Sequence, residues 1–292
     1  MATKFDIYQH VTDQIIAAIE AGTPPWRQPW TGSAGGLVFP LRSNDEPYRG
    51  INVLMLWLAA EVNGYTSAHW FTYRQAQEMG GQVRKGEKSS QVVKYGTFER
   101  ENDSGDPEQI PYARAYRVFN ADQIDDLPER FYIKPEDQRD MGTTAEPGLQ
   151  AFFEATGARI KTSDQPRAFY SVTEDYIHMP PVGTFHSAED YFGTLAHEAV
   201  HCTGHKSRLD RFKVGMAKQD RAQEELVAEI GSAMVCARLG LVPDFEQNAA
   251  YVESWLKALK EDKRAIFKAA SAAQKAADFL FETAPEDLKQ AA

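Results

Sequence analysis

His197 and His201 stand four residues apart with Glu198 between them, in the order His197-Glu198-Ala199-Val200-His201. On a helix such residues share a face, so both imidazoles can grip one Zn²⁺ while Glu198 reaches a water beside it. That combination points to metal-assisted hydrolysis with Glu198 as the catalytic base. Histidine pairs at this spacing also occur on ordinary surface helices. Here, however, Tyr191, Phe192, Leu195, Ala196, Ala199 and Val200 put the pair in or beside an apolar stripe, where an imidazole without a partner is costly. Ser187 suits the N-cap of this helix, Glu189 and Asp190 suit its first turn, and Gly204 suits its end.

A catalytic zinc ion usually takes three protein donors and leaves the fourth position to water. Three residues compete for the third place. His205 follows Gly204 in a run close to the metzincin pattern HExxHxxGxxH, but it arrives two residues early. Glu225 and Glu229 lie four apart in Glu224-Glu225-Leu226-Val227-Ala228-Glu229-Ile230, a helical and largely apolar stretch. Buried carboxylates there need partners. A gluzincin-like site would use one as metal ligand and the other, one turn on, to orient the first histidine. The reading assigns Glu225 to the metal and Glu229 to the supporting position, with the reverse left open.

The elements that must hold these groups follow from periodicity. Helices are expected at about 5–21, 50–62, 72–79, 147–156, 220–239 and over two later segments, with strands at 91–99, 112–119, 167–172 and 175–179. Residues 122–148 shift to Asp, Glu, Pro and Gly with little periodicity, as a connector would. The expectation is an α+β protein of two domains, 1–140 and 141–292. Within the second, Tyr176 to Met179 is a candidate edge strand for a peptide substrate, and His178 or Tyr251 a candidate oxyanion donor.

Composition suits a globular chain: 292 residues, 42% hydrophobic and 11% aromatic. No apolar run approaches a membrane span, and the opening residues lack a signal-peptide core, so no membrane partner is expected and the default location is cytoplasmic. Cys202 and Cys236 are the only cysteines and read as reduced core thiols. The net charge of −10 is uneven. Residues 1–120 carry 12 Lys and Arg against 13 Asp and Glu, and the remainder 20 against 29. Acidity thus belongs to the half with the histidines. The first half turns locally basic, with Arg84, Lys85, Lys88 and Lys94 facing only Glu87 between residues 79 and 95. It also interleaves cations with aromatics, as single-strand binding requires, among them Trp26, Arg27, Trp30, Tyr48, Arg49, Tyr73, Tyr95 and Tyr116. Trp26, Arg27, Arg49, Arg84, Lys85 and Lys88 are the leading candidates for a DNA contact.

Tyr48-Arg49-Gly50-Ile51-Asn52, Val83-Arg84-Lys85-Gly86-Glu87-Lys88, the run from His197 through His205 to Arg208-Leu209, and Glu224-Glu225-Leu226-Val227-Ala228-Glu229 together resemble the ArdC-type antirestriction proteins of conjugative plasmids. The matching pieces span both halves. The resemblance implies an N-terminal single-stranded DNA-binding domain joined to a C-terminal zincin-like metallopeptidase domain, protecting incoming plasmid DNA from restriction. It implies single-stranded DNA as one partner and a protein substrate, such as a host restriction or DNA-bound protein, as another. Two other readings compete: a strand-coating module whose zinc domain is structural or inactive, and a cytosolic zinc peptidase with no DNA role.

Overall fold

The computed structural model describes residues 6–26, 39–101, 107–132, 146–165, 167–212, 218–241 and 249–284. The chain opens with α1 (Ile7–Glu20), whose N-cap Asp6 accepts from the backbone N–H of Tyr8 and Gln9. β1 (Leu41–Arg42), α2 (Ile51–Asn63), β2 (His69–Phe71), α3 (Tyr73–Glu78), β3 (Gln82–Val83), β4 (Ser90–Glu101), β5 (Pro107–Asn120) and β6 (Ile124–Asp125) follow. One four-stranded sheet has the order β1-β2-β5-β4, antiparallel except for β1 with β2, and β3 pairs with β6. The β4–β5 hairpin is paired from Ser90–Val118 to Glu101–Pro107, longer at both ends than residue alternation suggests.

The second half contains α4 (Pro147–Ala155), β7 (Ile160–Thr162), β8 (Phe169–Ser171), β9 (Tyr176–Met179), α5 (Ala188–Thr203), α6 (Lys218–Leu239), α7 (Ala249–Glu261) and α8 (Ala265–Thr283). The architecture is α+β, as expected. β9 is the middle strand, between parallel β7 and antiparallel β8, so the expectation of an edge strand there is corrected. Both faces of its backbone ladder are already taken. The three-residue β7, with Lys161 and Thr162 exposed, carries too little pattern to be seen beforehand.

α5 and α6 form the heart of this half. Leu195, Ala196, Ala199 and Val200 bury against Leu226, Val227, Ile230 and Met234. They come close at Gly231, where an added Cβ would stand 2.9 Å from Val200 Cγ1. α8 packs beneath with buried alanines at 269, 270, 273, 276 and 277, small enough to bring helix backbones together.

One hydrophobic core runs through both halves. Trp26 packs edge-on against Trp255 of α7 at 6.2 Å, and Tyr8 against Phe267 of α8 at 4.8 Å. Thr12 donates to the Lys263 carbonyl at 2.8 Å, and the Gly50 N–H donates to Gln274 Oε1 at 3.0 Å. The boundary placed near residue 140 lies outside the described residues.

Candidate metal centre

α5 begins where the sequence says it should: Ser187 accepts from the Asp190 N–H, with Glu189 and Asp190 in the first turn. Helical spacing then brings the rings of His197 and His201 to 4.9 Å between centroids. From α6, Glu225 Oε2 reaches 3.6 Å from His197 Nε2 and 3.7 Å from His201 Nε2. All three donor atoms lie within 4.8 Å of one another. Donors about 2.0–2.1 Å from a tetrahedral ion stand roughly 3.4 Å apart, so this trio fits a divalent metal with little adjustment. Glu198 is buried beside them on α5. Among the three competing third donors, Glu225 is the one whose oxygen joins both imidazoles. His205 instead faces Ser207 Oγ at 2.8 Å, with Asp175 at 3.8 Å.

The second acid at the histidines is Glu224. His201 Nδ1 donates to its Oε1 at 3.3 Å, which fixes the tautomer and leaves Nε2 for the metal. Helix periodicity selects Glu229 for this kind of role. That role is at the first histidine, His197; for the second, His201, the partner is Glu224, the residue preceding the ligand, which Arg211 holds at the end of α5. Arg211 grips Glu224 with two donors, Nη2 to Oε1 at 2.7 Å and Nε to Oε2 at 3.1 Å. It also donates to Thr203 Oγ1 and to the Val200 carbonyl, both at 2.7 Å. Gly204 makes room for this guanidinium. Its φ of −75° is ordinary helix, but a Cβ would stand 3.0 Å from Arg211 Nη2 and 2.8 Å from the Phe212 ring. The expected stop is thus a close approach rather than a left-handed turn.

Burial disfavours a charged His201 ring, yet Glu224 and Glu225 outweigh it and push its pKa up to about 10. Burial likewise opposes the Glu225 carboxylate, but His197 and His201 hold its pKa well below the usual carboxylate range. A cation bound here therefore competes with a proton. Arg208 braces the adjoining turn through Asp175, Tyr170 Oη and the Cys202 carbonyl. That contact holds the Asp175 carboxyl down at about 2. Cys202 and Cys236 are buried free thiols, and burial pushes Cys202 up to about 11.

His178 is no oxyanion donor. Its Nδ1–H donates to the Arg167 carbonyl and its Nε2 accepts from Ser163 Oγ, both at 2.7 Å, which leaves neither nitrogen for a substrate. The side chain of Tyr251 lies outside the described residues.

The DNA-contact candidates scatter. Trp26 is 1% exposed and belongs to the shared core, so it cannot stack a base; this corrects the sequence reading. Arg27 and Trp30 lie outside the described residues. Arg84 is matched by Glu87 at 3.0 Å and Asp125 at 3.5 Å and donates to the Asp122 carbonyl, bracing its own turn. Lys85 and Lys88 are exposed on that turn. Arg49 is exposed and paired with Asp278 of α8.

Two family models match this chain. Residues 5–119 match the N-terminal domain of anti-restriction factor ArdC, and residues 147–272 match a zincin-like metallopeptidase. The antirestriction ArdC protein from the R388 plasmid is 64% identical and similar in structure. Its metal-free form gives a TM-score of 0.87 over 96% of this chain and 98% of that one, and its Mn(II)-bound form 0.84 over 97% and 99%. An uncharacterised protein, y4eC, from Sinorhizobium fredii (strain NBRC 101917 / NGR234) is 39% identical over 95% of this chain and 92% of its own length. The DNA primase TraC of Escherichia coli is 37% identical, but this chain spans only 27% of that protein. The chain belongs to the ArdC antirestriction family.

Proposed function

We propose that this protein counters restriction by binding single-stranded DNA during conjugative plasmid transfer, and that its metal centre is a zinc peptidase site. The observation carrying the second clause is the convergence of His197, His201 and Glu225 with Glu198 buried alongside. The first rests on family membership and on the cationic and aromatic first half. Arg49, Lys85 and Lys88 are its accessible phosphate candidates. The setting is cytoplasmic, consistent with the absence, among the described residues, of a helix long and apolar enough to cross a membrane.

His197, His201 and Glu225 would hold the ion. When bound, zinc acidifies a water and polarises the scissile carbonyl. Glu198, the residue after the first ligand, takes the proton of the attacking water on its carboxylate and passes it to the leaving amine. Glu224 keeps His201 in the Nδ1–H tautomer, and Arg211 keeps Glu224 charged and aimed. Glu229, buried one turn beyond Glu225, is assigned to the support of His197. The substrate is a protein met on or near the incoming strand, such as a host restriction or DNA-bound protein.

Metal analysis of protein purified without added metal tests the ion, with zinc expected at one per chain and manganese in its place as the contrary result. Incubating wild-type and Glu198→Ala protein with a mixed peptide library tests the chemistry. Cleavage by wild type alone supports the reading, and equal cleavage by both would overturn it.

A further inference from the structure

A cleft of about 1350 Å³ opens between the two halves. One wall is the β4–β5 face with the segment from Arg42 to Asn52, and the other is the start of α8. From the first half it is lined by Arg42, Arg49 and Lys94, and from the second by Arg211, Arg264, Lys268 and Lys275. No Asp or Glu is among the described lining residues, although residues beyond 120 carry a large acidic excess. The acids that pair with these cations, Glu46, Glu224, Asp262 and Asp278, stand outside the lining, and Arg211 is committed to Glu224. Lys94 and Lys275 have no ion-pair partner among the described residues.

We infer that the single strand lies in this cleft, so that α8 of the metal-bearing half contacts phosphates together with the first half. The inference rests on the reading that the protein binds single-stranded DNA. Three features of the cleft suit a strand. Arg264, Lys268, Ser271 and Lys275 recur at intervals of four, three and four, which places them on one face of α8 as a polar row roughly 16 Å long. Tyr116, 40% exposed, shares a face of the β4–β5 ladder with Lys94 and offers a ring to a base without regard to sequence, while Tyr95, 49% exposed, lines the cleft from the other face of β4. The lining is apolar at Val92, Val93 and Val118. The row on α8 belongs to the half whose net charge is strongly negative. Uniform electrostatic attraction to that half therefore cannot explain an α8 contribution, and local placement is required.

The test is an anisotropy titration of the full-length protein with a fluorescein-labelled 20-nucleotide oligo-dT at several salt concentrations. Wild type is compared with Lys268→Glu/Lys275→Glu and with Lys94→Glu. The double variant is expected to bind at least about 30-fold more weakly. Loss of two phosphate contacts also flattens its slope of log affinity against log salt by about 1.4. Tm and metal content should stay as in wild type. If the double reversal lowers Tm, Lys268→Gln/Lys275→Gln takes its place, with the same change of slope expected. Should wild type bind, Lys94→Glu bind weakly and the α8 variants match wild type in affinity and slope, the strand lies on the first half alone and the inference is overturned. Absence of binding by wild type would instead remove the single-strand reading itself.

Discussion

The metal centre and the basic cleft place charge in opposite ways. At the centre, charges oppose one another at close range: His201, Glu224 and Arg211 form a chain of contacts of 3.3 and 2.7 Å, and the acid and arginine are nearly buried. In the cleft, like charges face a common space and their counter-ions sit outside it. The first arrangement is complete once one ion is added. The second is balanced only by a polyanion laid along it, whose binding must respond to salt. Mutations should therefore act on the centre through stability and chemistry, and on the cleft through affinity and ionic strength.

The largest expected effect is at Glu198. Replacement by Ala should leave metal content unchanged and lower the cleavage rate by about 10²–10⁴, as loss of a general base does, whereas His201→Ala should lose the metal itself. Peptide assays paired with metal analysis separate the two. Next is Arg211→Met, which strands the Glu224 carboxylate in the interior. Denaturant unfolding should show a loss of about 3–5 kcal/mol, with metal affinity down about 10–100-fold. An unchanged midpoint would mean the contact is not structural. Trp26→Ala should cost a similar 3–5 kcal/mol by leaving a cavity against Trp255, and oligonucleotide affinity measured well below the melting point should be unchanged.

A subtler contrast is proton release. The metal-free His201 ring stays protonated up to about 10, so an ion binding at pH 7 must expel close to one proton. Affinity should rise with pH up to that value and fall on acidification. Calorimetry of metal uptake in buffers of different ionisation enthalpy counts the proton. The smallest effect is at Arg84→Met, where surface contacts with Glu87, Asp125 and the Asp122 carbonyl are removed and unfolding should change by about 0–1 kcal/mol.

The metal helix was legible because its chemistry is local. His197, Glu198 and His201 are neighbours in sequence, and the apolar positions around them repeat with the helical period. Glu225 was only half legible: helical spacing offered it together with Glu229, and the geometry brings its Oε2 to both imidazoles. Glu224 was not, since counting along α6 identifies which residues share a face but not that Arg211, from the turn after α5, stands opposite. Trp26 misled because an aromatic after two prolines reads as loop, while α7 covers it through Trp255. The cleft was invisible in sequence: its cations come from segments up to 233 residues apart, Arg42 to Lys275, and only the shared core brings them face to face.

Gly231 leaves room for a close contact between α6 and α5 beside the candidate metal centre. Val200 stands between the two ligand histidines on α5 and touches the α6 backbone where Gly231 lacks a side chain, six residues beyond Glu225. A methyl group at 231 would act as a shim between the helices, lifting the carboxylate from the imidazoles by a few tenths of an ångström. Ions differ in preferred donor distance by comparable amounts. Gly231→Ala is therefore expected to shift which ion the site prefers, through a helix contact away from every ligand.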